Sequence, residues 1–210
     1  MSNQGVDPAI LLAWLSARSV ARGLPSPVPQ YGGYRVDTRS DAEVARWVFP
    51  TMGSGLEGLA RSIGEPRYFL KLCGTADQLR AALPMGWAIH APGYFMRALH
   101  KPPVKRLADG YRVDIKQIGL VSEARVFSQI GVLAASGYAA EACGVLVYDR
   151  IVTEPEHRRK GLGAVLMQVL HDARQNVSGP ELLVATEDGQ ALYSTLGWAT
   201  ISAYSTASIV

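Results

Sequence analysis

The sequence predicts an α/β (α+β) fold, with a mixed and mostly antiparallel sheet flanked by helices. Three observations carry that expectation. Strand-like segments follow one another without an intervening helix between residues 111 and 153, and a glycine-led apolar helix and a further strand come directly after them. The 210 residues, 48% hydrophobic and 19% charged, supply a full-sized core.

The elements read in order as follows. Asp7 before Pro8 caps an opening helix, which ends at a Pro/Gly-rich connector, "GLPSPVPQYGGY". "YRVDT" alternates as a strand, "SDAEVARWVF" and "GLEGLARSI" show helical spacing, "RYFLKLCG" is a strand, "ADQLRAAL" a short helix and "WAIHA" a strand. "HKPPVKRLADG" is a second connector. The strands "YRVDIKQI", "EARVFSQ", "VLAASGYAAE" and "GVLVYDRIV" follow, with Ile130-Gly131 placed for a hairpin turn. A helix over residues 161–174, the strand "ELLVAT", the helix "GQALYSTL" and the stretch "WATISAYSTASIV" complete the chain. The expected organisation is a helix and connector over 1–33, a first subdomain over 34–100, a linker over 101–110 and a catalytic domain over 111–210.

The two halves look like a degenerate repeat. "FLKLCGTADQLRAALPMGWA" lies on "LLVATEDGQALYSTLGWA" with one two-residue insertion, matching Leu79 to Leu192, Leu83 to Leu196 and Gly86-Trp87 to Gly197-Trp198. "YRVDT" then lies over "DRIVT", Arg80 falls where Tyr193 stands, and Glu43, Arg46 and Val48 fall where Arg158, Gly161 and Gly163 stand. On that reading the first half lacks the unusual chemistry of the second.

A net charge of +3 with scattered basic residues does not point to nucleic acid, and no apolar run approaches the ~20 residues of a membrane span. The opening segment has an acid and no base before its apolar stretch, unlike a secretory signal, so a cytoplasmic protein is expected. Cys73 and Cys143 sit in apolar runs and read as buried, reduced thiols. His90, His100, His157 and His171 show no ligand spacing with each other or with the cysteines, so no metal is expected. The partners are then small molecules, and a homodimer is compatible with the sequence.

The stretch "TEPEHRRKGLGAVLMQVL" concentrates cations where a helix already has its positive pole. Arg158, Arg159 and Lys160 there ask for an anionic ligand. Gly161 and Gly163 allow close backbone approach, and the first amides of the helix lack internal partners, so the loop can offer N–H groups to a diphosphate. It is neither a Walker loop nor a dinucleotide fingerprint, because no G-x-x-x-x-G-K-[ST] is present and Leu166 occupies the third glycine position.

"VYDRIVTEPEHRRKGLGAVLM" with "ALYSTLGW" resembles the GNAT acetyltransferase superfamily, whose signature is [RQ]-x-x-G-x-[GA] after a central strand. The resemblance covers roughly the last half of the chain. It implies acetyl-coenzyme A as co-substrate, with Arg158 and the loop of Arg159, Lys160, Gly161, Leu162, Gly163 and Ala164 on its pyrophosphate. Ile151, Val152 and Thr153 would lie beside the pantetheine arm, and a backbone amide near Val152 would polarise the thioester carbonyl. The chain departs from the family in one respect: "YRVDIKQIGLVSEARVF" leaves no room for the usual pair of helices that wall the acceptor, so the first half is expected to supply that wall.

The implied reaction is N-acetylation of a small primary amine by direct attack in a ternary complex. An alkyl amine of pKa ~10.4 is mostly charged at neutral pH, a deficit of ~4.6 kcal/mol in available nucleophile. A raised carboxylate would help, and Asp149, then Glu154, are the candidates by position. Tyr193 lies about a hundred degrees around its helix from Leu192, with Ala191, Leu192, Leu196 and Trp198 left to pack, and it is the candidate proton donor to the departing thiolate. The resemblance gives this tyrosine the same role. A catalytically silent acyl-coenzyme A sensor is the competing reading.

Overall fold

The chain begins with an amphipathic helix, α1 (Pro8–Arg22), whose first turn is fixed as its sequence requires. The Asp7 carboxylate accepts from the amides of Ala9 and Ile10, Pro8 occupies the start, and Gly23 closes the end in the left-handed region at φ 62°. A computed structural model describes residues 5–38, 40–175 and 178–210, so Met1 to Gln4 of the opening segment lie outside the described residues. After α1 come β1 (Val28–Gln30), β2 (Gly33–Asp37), β3 (Ala45–Phe49), α2 (Ser54–Ser62), β4 (Tyr68–Cys73), α3 (Ala76–Ala82), β5 (Trp87–Ile89) and β6 (Gly93–Ala98). The second half has β7 (Tyr111–Ile118), β8 (Val121–Ser128), β9 (Leu133–Ala142), β10 (Val145–Thr153), α4 (Leu162–Asp172), β11 (Glu181–Ala185), α5 (Glu187–Thr195) and β12 (Trp198–Ile209).

The twelve strands of the described residues join one sheet in the order β1-β2-β3-β4-β12-β6-β11-β10-β9-β8-β7, with β5 also on β12. Among the described residues only β3 with β4 and β10 with β11 pair in parallel. The expected mixed, mostly antiparallel architecture is therefore present. Residues 34–100 and 111–210 do not form separate sheets: β12 lies between β4 and β6, and β6 lies between β12 and β11.

The exchanged strands pair reciprocally. Trp87 opposes Ile209 while Trp198 opposes Ala98, and Phe69 opposes Ser208 while Leu182 opposes Arg97. Each pair becomes the other when the aligned tryptophans and the aligned Phe69 and Leu182 are interchanged.

Other expectations need correction. "ARWVF" in the segment read as helical is β3, buried at every position, and a run buried on both faces of a sheet carries no period to separate it from a helix. Arg46 and Val48 thus stand on a strand that pairs in parallel with β4, as β10 pairs with β11, so they do not correspond to the glycine loop. At the turn entering α2, a Cβ on Gly55 would sit 1.9 Å from the Tyr31 carbonyl oxygen. Cys73 is buried as expected, but Cys143 is exposed, in the left-handed region of the β9–β10 turn with Gly144.

Three apolar clusters hold the layers. One packs α4 and α5 on the second-half strands, through Leu162, Leu166, Leu170 and Trp198. Another packs Leu11, Trp14 and Leu15 of α1 over Val145, Val147, Phe95 and Tyr204, and the third packs α2 and α3 on β3 and β4. The first-half strands and α1 thus pack directly on the strands of the second half.

Candidate active site

Strands β10 and β11 stay together for two residue pairs only, Leu146 with Glu181 and Val147 with Leu182, and then diverge. Beside the divergence β10 shifts register between Asp149 and Val152, with Arg150 at φ 53°. Such a bulge leaves an extra residue without a cross-strand partner and re-aims the backbone. Gly137 is what opposes it, and a Cβ there would lie 2.4 Å from Ile151 Cδ1, so a larger residue on β9 would have to turn that side chain aside.

The divergence opens a cavity of about 1100 Å³. Ile151, Val152, Thr153, Arg158, Arg159, Gly161, Leu162, Gly163 and Ala164 all line it, together with Tyr193 and Asp149. The structure thus brings together nearly all the residues singled out from sequence. Lys160 and Glu154 are the exceptions. Lys160 donates to the Tyr111 hydroxyl, which is also hydrogen-bonded to His157 Nδ1, and Glu154 is exposed outside the cavity wall.

The glycine loop is built as an anion cradle. Arg159 and Gly161 take φ of 62° and 76°, turning successive amides. Helix α4 has no side-chain cap on Gly161 and no acid in its first turn, so its leading N–H groups are left for a ligand. A Cβ on Gly163 would approach Leu192 Cδ2 to 3.0 Å. The linker passes beside this loop: the Lys105 amide donates to Gln168 on α4, and its side chain lies against Gly161. These donors fit a diphosphate.

Helix α5 is started by Thr186, whose hydroxyl accepts from the Gly189 amide, and carries Tyr193 on its buried face. The packing face differs from the expected one. Tyr193 and Leu196 are buried, while Leu192 is exposed and turned to the cavity. The Tyr193 ring lies 6.0 Å from that of Trp198, and its hydroxyl has no partner among the described residues. Burial pushes this phenol up to about 12, so it is a donor at any ordinary pH.

Asp149 is an anchor for arginines. Arg22 grips its carboxylate with Nε at 2.6 Å and Nη2 at 2.8 Å, and Arg18 Nε and Arg150 Nε stand at 3.4 and 3.2 Å. Burial alone would raise this carboxyl, but the hydrogen bond from Arg22 and the charges of Arg18, Arg22 and Arg150 outweigh it and hold it below the ordinary value. A base must be raised toward neutrality, so the expectation of Asp149 as base is corrected on this ground. Sequence reasoning missed Arg18, Arg22 and Lys71 as cavity residues. A lysine inside the apolar strand "YFLKLC" is the one signal it offered.

A family model for the acetyltransferase (GNAT) domain matches residues 120–200. None of the curated proteins searched matches the sequence. Among solved structures, a GCN5-related N-acetyltransferase from Kribbella flavida superimposes with TM-score 0.66 at 14% identity, over 97% of this chain and 96% of that one. A GNAT-family protein from Novosphingobium aromaticivorans gives TM-score 0.59 at 18% identity, over 96% and 97%. A tandem GNAT protein from the clavulanic acid biosynthesis pathway gives 0.54 at 15% identity, over 84% and 78%. Identities at this level speak for a shared fold. Residues 120–200 thus match the acetyltransferase (GNAT) domain, in a chain whose fold is shared with these GNAT structures.

Proposed function

We propose that the protein is an acetyl-coenzyme A-dependent N-acetyltransferase that acetylates the primary amine of a small molecule by direct attack in a ternary complex. The observation that carries this reading is the single cavity joining an anion cradle, a bulged strand edge and an unengaged tyrosine hydroxyl. The cradle at Arg158 to Ala164 holds the diphosphate of the co-substrate, and Ile151 to Thr153 flank its arm.

Tyr193 stabilises the departing sulfur. A phenol held near 12 gives up its proton less readily than a thiol of pKa ~8.5, so its contribution is a hydrogen bond that strengthens as the thiolate forms. Asp149, tied to its arginines, is not a free base. Arg18, Arg22, Arg150 and Lys71 line the cavity against Asp149 and Asp188, and that positive surplus disfavours a protonated amine. The cavity thereby supplies neutral nucleophile without a dedicated base.

The first half serves as the acceptor-side wall and is read as a degenerate repeat of the second, a reading supported by the reciprocal pairing of β5, β6 and β12. The test of the function is coenzyme A release on a panel of amines, with acetyl-coenzyme A hydrolysis as the blank. Amine-dependent release that exceeds the blank is expected. Tight acetyl-coenzyme A binding with no amine-dependent release would favour the sensor reading.

A further inference from the structure

The end of the cavity remote in sequence from the glycine loop is walled by α1, β4 and β12, through Trp14, Arg18, Lys71, Tyr204 and Thr206. Lys71 and Thr206 are direct cross-strand neighbours, and the Lys71 ammonium donates to the Thr206 hydroxyl at 3.3 Å. It also lies over the rings of Phe69 at 5.5 Å and Tyr204 at 6.0 Å. No carboxylate among the described residues pairs with it. Arg18 lies over Trp14 and makes no hydrogen bond to a described residue, approaching Asp149 only at 3.4 Å. The Trp14 indole Nε1–H is buried without an acceptor.

The nearby acids are already committed. Asp149 is held by Arg22, and Glu43 makes a two-pronged pair with Arg46 on β3. What this end has left over is therefore donors: an ammonium with two protons unused, a guanidinium and an indole N–H. Burying such donors is costly unless acceptor oxygens arrive. A hydroxyl or a carbonyl offers too little charge to offset two half-buried cations.

We propose that the acceptor bears an anionic oxygen group, of which a carboxylate is the simplest, beside the amine that is acetylated, and that Lys71 and Arg18 receive that group. This deepens the acetyltransferase reading and rests on it. Transfer is balanced without further reactants: the neutral amine forms a C–N bond to the acyl carbon, the C–S bond breaks, and the amine proton ends on the sulfur of coenzyme A. With one carboxylate bound the cavity cations remain in surplus, so the amine is still favoured in its neutral form.

The charge state of Lys71 agrees with a site awaiting an anion. Burial first, then the charge of Arg46, push this ammonium down to about 7, with Arg18 and Arg22 on α1 adding to the effect and Glu43 opposing it. Asp149 on β10 is the other charge turned to this end, and its arginines neutralise it. An arriving carboxylate restores the charge, so its binding takes up a proton and weakens as pH rises above 7.

The test pairs each amino acid with its decarboxylated amine, for example L-phenylalanine with phenethylamine, and adds phosphoethanolamine to separate carboxylate from phosphate. The anionic members are expected to show KM values lower by tenfold or more. Lys71→Met should raise KM for these far more than for their decarboxylated partners, with any change in kcat shared by both members of a pair, and Lys71→Arg should keep the preference. Equilibrium binding of N-acetyl-L-phenylalanine and N-acetylphenethylamine to the coenzyme A-loaded protein reads the same preference without turnover. Equal binding and equal KM for the two members of each pair would overturn the inference, as would a Lys71→Met variant that loses kcat on every amine with KM unmoved. Failure of the underlying reading looks different, because no amine would then release coenzyme A while the binding comparison still reports on the anion site.

Discussion

Replacing Asp149 by asparagine separates two roles for this side chain. Its carboxylate is 7% exposed and takes two hydrogen bonds from Arg22, with Arg18 and Arg150 alongside. Hydrogen bonds to charged groups are worth about 1.5–3 kcal/mol each, and removing one partner of a buried ion pair costs about 3–5 kcal/mol. The arginines are partly open to water, at 27%, 19% and 39% for Arg22, Arg18 and Arg150, and the amide oxygen keeps one acceptor, which places the loss near the lower bound at about 3 kcal/mol. For a chain of this size that is a fall of ~6–12 °C in Tm. The folded-state carboxyl is lowered, so its stabilisation is complete above the unfolded value of ~3.9 and is lost as pH falls through the folded value. The gap between wild type and Asp149→Asn should therefore close in acid. Chemical denaturation at neutral and acid pH, beside kcat on the same preparations, checks both statements. A variant of unchanged stability whose kcat falls by 10²-fold would refute the anchor role and restore Asp149 as the base.

Tyr193→Phe should keep the fold and acetyl-coenzyme A affinity while lowering kcat by about 10²-fold, measured where chemistry limits the rate. With the phenol held near 12, the kcat of the wild type should show no alkaline fall assignable to Tyr193 below about pH 11. Gly163→Asp should abolish acetyl-coenzyme A binding in calorimetry on a sample that circular dichroism shows to be folded, since it puts an anion where the cradle faces a diphosphate. Gly55→Ala should do the reverse, lowering Tm because its Cβ meets the Tyr31 carbonyl and leaving the affinity of a folded sample intact.

Local chemistry made much of the second half legible. The Gly161-Leu162-Gly163 turn, the α4 periodicity and the four-strand run all depend on neighbours in sequence, and each stands where the residues put it. The first half was harder for a physical reason. Strand β3 is buried on both faces, and "GYFMRA" of β6 gains its partners from β11 and β12, about a hundred positions away. The Arg18, Arg22 and Lys71 cluster depends on the same distance. Nothing in "LSARSVAR" or "YFLKLC" shows that the two segments meet across β12, and nothing near Asp149 shows that α1 will deliver an arginine to it.

The exchange of β6 and β12 has a consequence for how the chain reaches this structure. β12 is the last strand in chain order, yet it is the central seam, pairing with β4 and β6. Until residues 198–209 are in place, β4 and β6 each keep an open edge, and residues 34–100 have no closed sheet of their own. Pairings of such long sequence separation form slowly, and open edges invite pairing with other chains. Emerging nascent chains would hold this unfinished sheet until residues 198–209 have been made, so yield in the cell should respond to chaperones and to temperature more than the stability of the finished fold suggests.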